Sequence, residues 1–122
     1  MAQTKELPEP ADELPLTPAV FSILLALADG EKHGYAIMQE VQADTDGVTR
    51  LGPGTLYGSL DRLERAAMVE ESEERPSPKD DDERRRYYRL TDFGRRVLGA
   101  EAARLRQAVA IARRKKVFVA AT

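Results

Sequence analysis

The chain has 122 residues, 42% of them hydrophobic and 33% charged, a balance that predicts one folded domain with its own core and excludes a disordered segment. It contains no cysteine, which excludes thiol catalysis, thiolate metal sites and disulfides. The net charge of −2 conceals a strong polarity: residues 1–60 carry 3 basic and 9 acidic groups, residues 61–83 carry 4 and 10, and residues 84–116 carry 12 and 2.

The first fifteen residues, MAQTKELPEPADELP, are acidic and proline-bearing. They lack the charged-then-apolar order of a signal peptide and read as a flexible arm, 1–15. No apolar run approaches the roughly 18 residues of a membrane span. With neither signal nor cysteine, a cytoplasmic protein without a membrane partner is expected.

A first helix opens at LTPAVFSILLALADG. Thr17 suits the N-cap, Pro18 the first helical position, and Asp29–Gly30 the stop. Apolar residues cover most of its circumference, so it should be deeply buried. The connection to the next helix is short. In EKHGYAIMQEVQADTDG, Tyr35, Ile37, Met38 and Val41 keep a helical period that stops near Gly47. VTRL, 48–51, reads as a brief strand. LGPGTLYGSLDRLERAAMVE then yields a third helix over about 53–66, with Leu56, Leu60 and Leu63 as its buried stripe. Its start, Gly52-Pro53-Gly54-Thr55, has almost no side chain.

After Ala67 the period changes. Residues 68–74 and 84–90 are β-capable and enclose a breaker-rich connection with Pro76, Pro78 and Asp80–Asp82. This predicts a hairpin with a long polar tip, Tyr88 and Leu90 on one face and Tyr87 and Arg89 on the other. Consecutive loop aspartates point apart and no histidine supports them, so neither a metal nor another cofactor is expected. His33, the lone histidine, suits capping or packing. Thr91 caps a last helix to about Lys116, followed by a tail, 117–122. In that helix Leu98, Ala102, Leu105, Val109 and Ala112 follow a heptad spacing that a second copy of the chain would cover.

Helix, helix, helix, hairpin, helix is the order of a winged helix-turn-helix, here 16–90, with a C-terminal dimerisation helix, 91–116. The fold class is thus mainly α with a small β-hairpin. In that fold the third helix enters the DNA major groove by its N-terminal end, and a bare tip permits close approach. The candidate DNA-binding residues are Thr55, Tyr57, Ser59 and Arg62, off the leucine stripe, and Arg84, Arg85 and Arg86 on the wing. Arg62 suits either a guanine edge or a phosphate. Tyr57 suits either a phosphate or sideways packing on the first helix. The wing arginines suit either phosphate or the acids of the hairpin itself.

GPGTLYGSLDRLERAAMVE, followed by RRRYYRLTDFGRRVL and preceded by HGYAIMQEV, resembles the PadR family of bacterial transcription regulators over about residues 16–98. Many relatives carry proline where this chain has Gly58. The resemblance implies a repressor that binds an inverted-repeat operator in double-stranded DNA as a homodimer, and that a small hydrophobic or aromatic effector releases. The single C-terminal helix is similar to the compact branch of that family. A protein-interaction module that presents the arginine-rich wing to an acidic partner is the alternative. With no cysteine, one isolated histidine, no phosphate loop and no paired-acid spacing, an enzyme is not expected.

Overall fold

The computed structural model of the chain describes residues 7–72 and 86–118. A short 3-10 turn, Pro10–Glu13, precedes α1 (Pro18–Ala26), β1 (Lys32–His33), α2 (Gly34–Asp44), α3 (Pro53–Arg65), β2 (Val69–Ser72), β3 (Tyr87–Leu90) and α4 (Asp92–Arg114). The helix starts follow local chemistry. The Thr17 hydroxyl accepts the Val20 N–H at 3.1 Å, and the Thr91 hydroxyl accepts the Gly94 N–H at 2.9 Å. Each satisfies a donor that the first helical turn leaves open.

One core joins these elements. Ile23, Leu24 and Leu27 of α1, Ile37 and Val41 of α2, and Leu56, Leu60 and Leu63 of α3 are buried with Val69, Tyr88, Phe93 and Val97. A left-handed residue, Ala67 at φ 63°, reverses the chain from α3 into β2. The Met68 N–H reaches back to the Leu63 carbonyl at 2.9 Å, closing the end of the helix as such caps do.

The wing departs from the predicted hairpin in one respect. Its sheet has three antiparallel strands in the order β1-β3-β2, with His33 opposite Tyr87 and Glu70 opposite Arg89. The short connection before α2 therefore contributes a strand, and β3 is central. Tyr87, expected to share an open face with Arg89, is buried for that reason. Residues 48–51 form no strand.

The expected flexible arm is corrected for its described part. The turn Pro10–Glu13 lies on α4, and Leu14 and Leu16 pack against the core. The Leu16 N–H donates to Glu101 Oε2 at 2.9 Å. Glu101, at 1% exposure, is held in turn by the Arg104 guanidinium at 2.5 and 3.1 Å. That guanidinium keeps the Glu101 carboxyl below the usual glutamate range. A buried charge is tolerated when it is paired and hydrogen-bonded, and here the pairing fastens the N-terminal segment to α4.

Candidate nucleic-acid interface

Helix α3 begins at Gly52, which caps with no side chain, and continues with Pro53, Gly54 and Thr55. All four are exposed. Gly52 has φ −76° and ψ 164°, a conformation open to any residue. A Cβ built on Gly52 or Gly54 meets nothing within 4 Å. Glycine in a first turn is also less favourable than alanine, by up to about 1 kcal/mol. Neither backbone conformation nor packing within the chain asks for these glycines.

The surface of α3 is partly as predicted. Thr55 and Arg62 are exposed. The Arg62 side chain turns back along the helix, with Nη1 3.7 Å from a Cβ placed on Gly58 and Nη2 donating to Ser59 Oγ at 3.3 Å. Ser59, predicted to be off the leucine stripe, is corrected: it is 3% exposed. It lies three residues after Leu56 and four before Leu63, so it shares the buried face.

Tyr57 is 43% exposed, and its ring packs sideways on the start of α2 rather than on α1. Gly34 there is buried, and a Cβ on it would lie 2.2 Å from Tyr57 Oη. Immediately before Gly34, His33 caps α2 by accepting the Ala36 N–H on Nδ1 at 3.2 Å. Its ring meets Tyr87 edge-on, with centroids 5.4 Å apart. Neither Gly34 nor Glu101 stands out in the sequence. The signal for Gly34 is its place in HGY, one residue before a helical run; that for Glu101 is its being one of two acids in a strongly basic third.

On the wing, Arg84 and Arg85 lie outside the described residues. Arg86 is exposed, and its guanidinium is stabilised by a hydrogen bond to the Tyr88 side chain and by the charge of Glu71, which together raise its pKa. Burial pushes the Tyr88 phenol up. Burial also raises the Glu64 carboxyl, with Glu71 and Asp61 adding to the effect. Arg89 pairs across the strands with Glu70 at 2.9 Å, an exposed contact of small energetic value.

Of the heptad residues, Leu98 is corrected: it belongs to the chain's own core. From there on α4 leaves that core. Ala102 is exposed, Leu105 and Ala112 are half-buried, and Val109 is 41% exposed. An apolar groove of about 260 Å³ lies between α1 and α2, lined by Phe21, Ser22, Leu25, Val41, Asp44 and Thr45. No described helix is long and apolar enough to cross a membrane.

Known proteins with this pattern are regulators. The profile of the PadR-like transcriptional regulator family matches residues 23–100. An uncharacterized 37.1 kDa protein in transposon Tn4556 of Streptomyces fradiae is 44% identical over 80 residues, 66% of this chain and 21% of that protein. The chain thus spans about a fifth of that relative. A PadR family regulator from Clostridium difficile superposes with a TM-score of 0.64 at 23% identity, covering 80% of this chain and 97% of that one. PadR of Bacillus subtilis, in complex with operator DNA, gives 0.57 at 22% identity, covering 70% of this chain and 46% of that one.

Proposed function

The chain belongs to the PadR-like family of transcriptional regulators, and from that premise we propose that it represses transcription by binding an inverted-repeat operator as a homodimer. Its reading element is α3, inserted by its N-terminal end into the major groove.

The observation that carries this reading is the open space at Gly52 and Gly54. Glycines that the fold itself does not need make sense where another molecule approaches the backbone. The first N–H groups of α3 and the positive end of its dipole suit a phosphate there. Thr55 and Arg62 flank the tip, and Arg86, with Arg84 and Arg85 adjacent in sequence, supplies wing cations for backbone phosphates. Operator DNA is the ligand bound by the Bacillus subtilis relative. Ser59 is left out of the contact set because it is buried. The exposed stretch of α4, Ala102–Ala112, is the surface a second copy covers, and two copies present two equivalent reading helices. The apolar groove between α1 and α2 has room for a small aromatic effector whose binding releases DNA.

The test opposes stability to affinity. Alanine at Gly52 and Gly54 should leave thermal stability unchanged or slightly raised, yet lower affinity for the DNA upstream of the gene by about tenfold or more, the order of one good base or phosphate contact. Equal binding of upstream DNA and random DNA by the unsubstituted protein would instead favour a protein-interaction module.

A further inference from the structure

Two elements must meet the same DNA under the reading above, α3 and the wing. Their relative placement is held at two points. At its C-terminal end α3 runs straight into β2 through the turn at Ala67. At its N-terminal end nothing covalent ties α3 to the wing; the link is a chain of contacts through the start of α2. The Tyr57 ring lies on Gly34, so close that a Cβ there would stand 2.2, 2.6 and 3.0 Å from its Oη, Cζ and Cε1 atoms. His33, covalently next, belongs at once to β1 and to the cap of α2. Its backbone is in register with Tyr87 of β3 and its ring packs on the Tyr87 ring at an interplanar angle of 83°. Arg86, the wing cation, is the residue before Tyr87.

We propose that His33–Gly34 is a positioning joint that sets the reading end of α3 relative to the wing, through Tyr57 on one side and Tyr87 on the other. This rests on the DNA-binding reading and adds a role for residues that touch no DNA in it. Gly34 is not left-handed, so its lack of a side chain serves clearance alone. The close seating leaves the Tyr57 ring no room to shift toward α2, and tightly packed contacts of this kind transmit displacement instead of absorbing it. A methyl group at position 34 must push the ring, and with it the first turns of α3, away from α2. The C-terminal end of α3 stays anchored, so α3 pivots and its tip moves relative to Arg86. Specific binding needs both contacts in register; non-specific binding to phosphate does not.

The experiment measures affinity for the operator and for random DNA of equal length, below the thermal transition. Gly34→Ala should lower the specific-to-random ratio by about tenfold, a coupling of ordinary size for residues in contact. Tyr57→Phe should keep the ratio near that of the unsubstituted protein, since the ring and not a hydroxyl-to-phosphate bond does the positioning. In a Tyr57→Ala background, Gly34→Ala should cause no further loss, because the methyl group then meets no ring. Full multiplicative losses in the double variant, or a Tyr57→Phe loss as large as that of Tyr57→Ala, would overturn the joint. If Gly34→Ala does not fold, His33→Asn gives the second reading. Asparagine retains an N-cap acceptor and removes the ring from Tyr87, so the ratio should fall with the helices intact; an unchanged ratio overturns the proposal. Failure of the unsubstituted protein to prefer any operator would remove the DNA reading itself, whereas preference retained in Gly34→Ala removes only the joint.

Discussion

Gly94→Ala should unfold this protein at lower temperature, although alanine is the better helix former. The new Cβ would lie 1.9 Å from the Met68 carbonyl oxygen, against 3.4 Å for ordinary contact, so the start of α4 and the start of β2 must part by about 1.5 Å. The Met68 oxygen is backbone and cannot rotate away. That same carbonyl accepts the Thr91 N–H at 3.1 Å, and the Thr91 hydroxyl donates to the Ala67 carbonyl at 2.5 Å. Losing both bonds costs about 2 kcal/mol, and the residual overpacking costs about 1–3 kcal/mol. The helix propensity gained offsets about 1 kcal/mol. A net loss of about 3 kcal/mol should lower the thermal midpoint by roughly 10 °C for a domain of this size. Thermal unfolding followed by circular dichroism measures it. Gly99→Ala is the matched control: it lies on the same helix and its Cβ meets nothing within 4 Å, so its midpoint should rise slightly. A Gly94→Ala midpoint at or above that of the parent would refute the reasoning, because it would mean that α4 and β2 separate freely.

Arg86→Ala should weaken specific and random DNA alike and reduce the slope of log affinity against log salt by about 0.9 for each phosphate left without its cation; titrations at several salt concentrations measure it, and an unchanged slope removes Arg86 from the backbone contacts. Leu105→Asp should give a monomer by sedimentation, because leucine burial worth about 1.5–3 kcal/mol disappears from both copies and two carboxylates enter the interface; a dimer of unchanged affinity would relocate the interface. For Glu101 the folded carboxyl lies below its ordinary value of 4.5, so its contribution to stability is present above that pH and lost as pH falls through the lower folded value. Glu101→Gln should therefore lower stability at neutral pH and flatten its decline below pH 4.5, as denaturant unfolding across pH would show.

The helices are legible because each is announced by short-range chemistry: Thr17 and Thr91 cap, Pro18 and Pro53 start, and leucines recur at helical spacing. The departures have equally local causes. A two-residue strand such as Lys32–His33 is too short to show alternation. Polarity puts Ser59 on the open face of α3, whereas its spacing from Leu56 places it with the leucines. Leu98 obeys the heptad, but a heptad does not tell a partner chain from the chain's own α1. Prolines and acids make the N-terminal segment look like an arm, and the carboxylate that fastens it lies 85 residues away. The seating of Tyr57 on Gly34 is a clearance between two helices, and no pattern within either helix encodes it.

The open tip of α3 also bears on how such a protein could diversify. At Gly52 and Gly54 a side chain would enter empty space, so substitutions at the tip leave the core and its helix contacts alone. At Gly34 and Gly94 the smallest side chain collides with its surroundings. Tolerance is therefore distributed unevenly along one short polypeptide: the part proposed to read DNA is free to vary, while the parts that aim it are sterically frozen. A lineage of duplicated copies could then explore new operators one tip residue at a time, each step tested for recognition and scarcely for folding. A designer seeking altered specificity would randomise 52, 54 and 55 and leave 34 and 94 untouched.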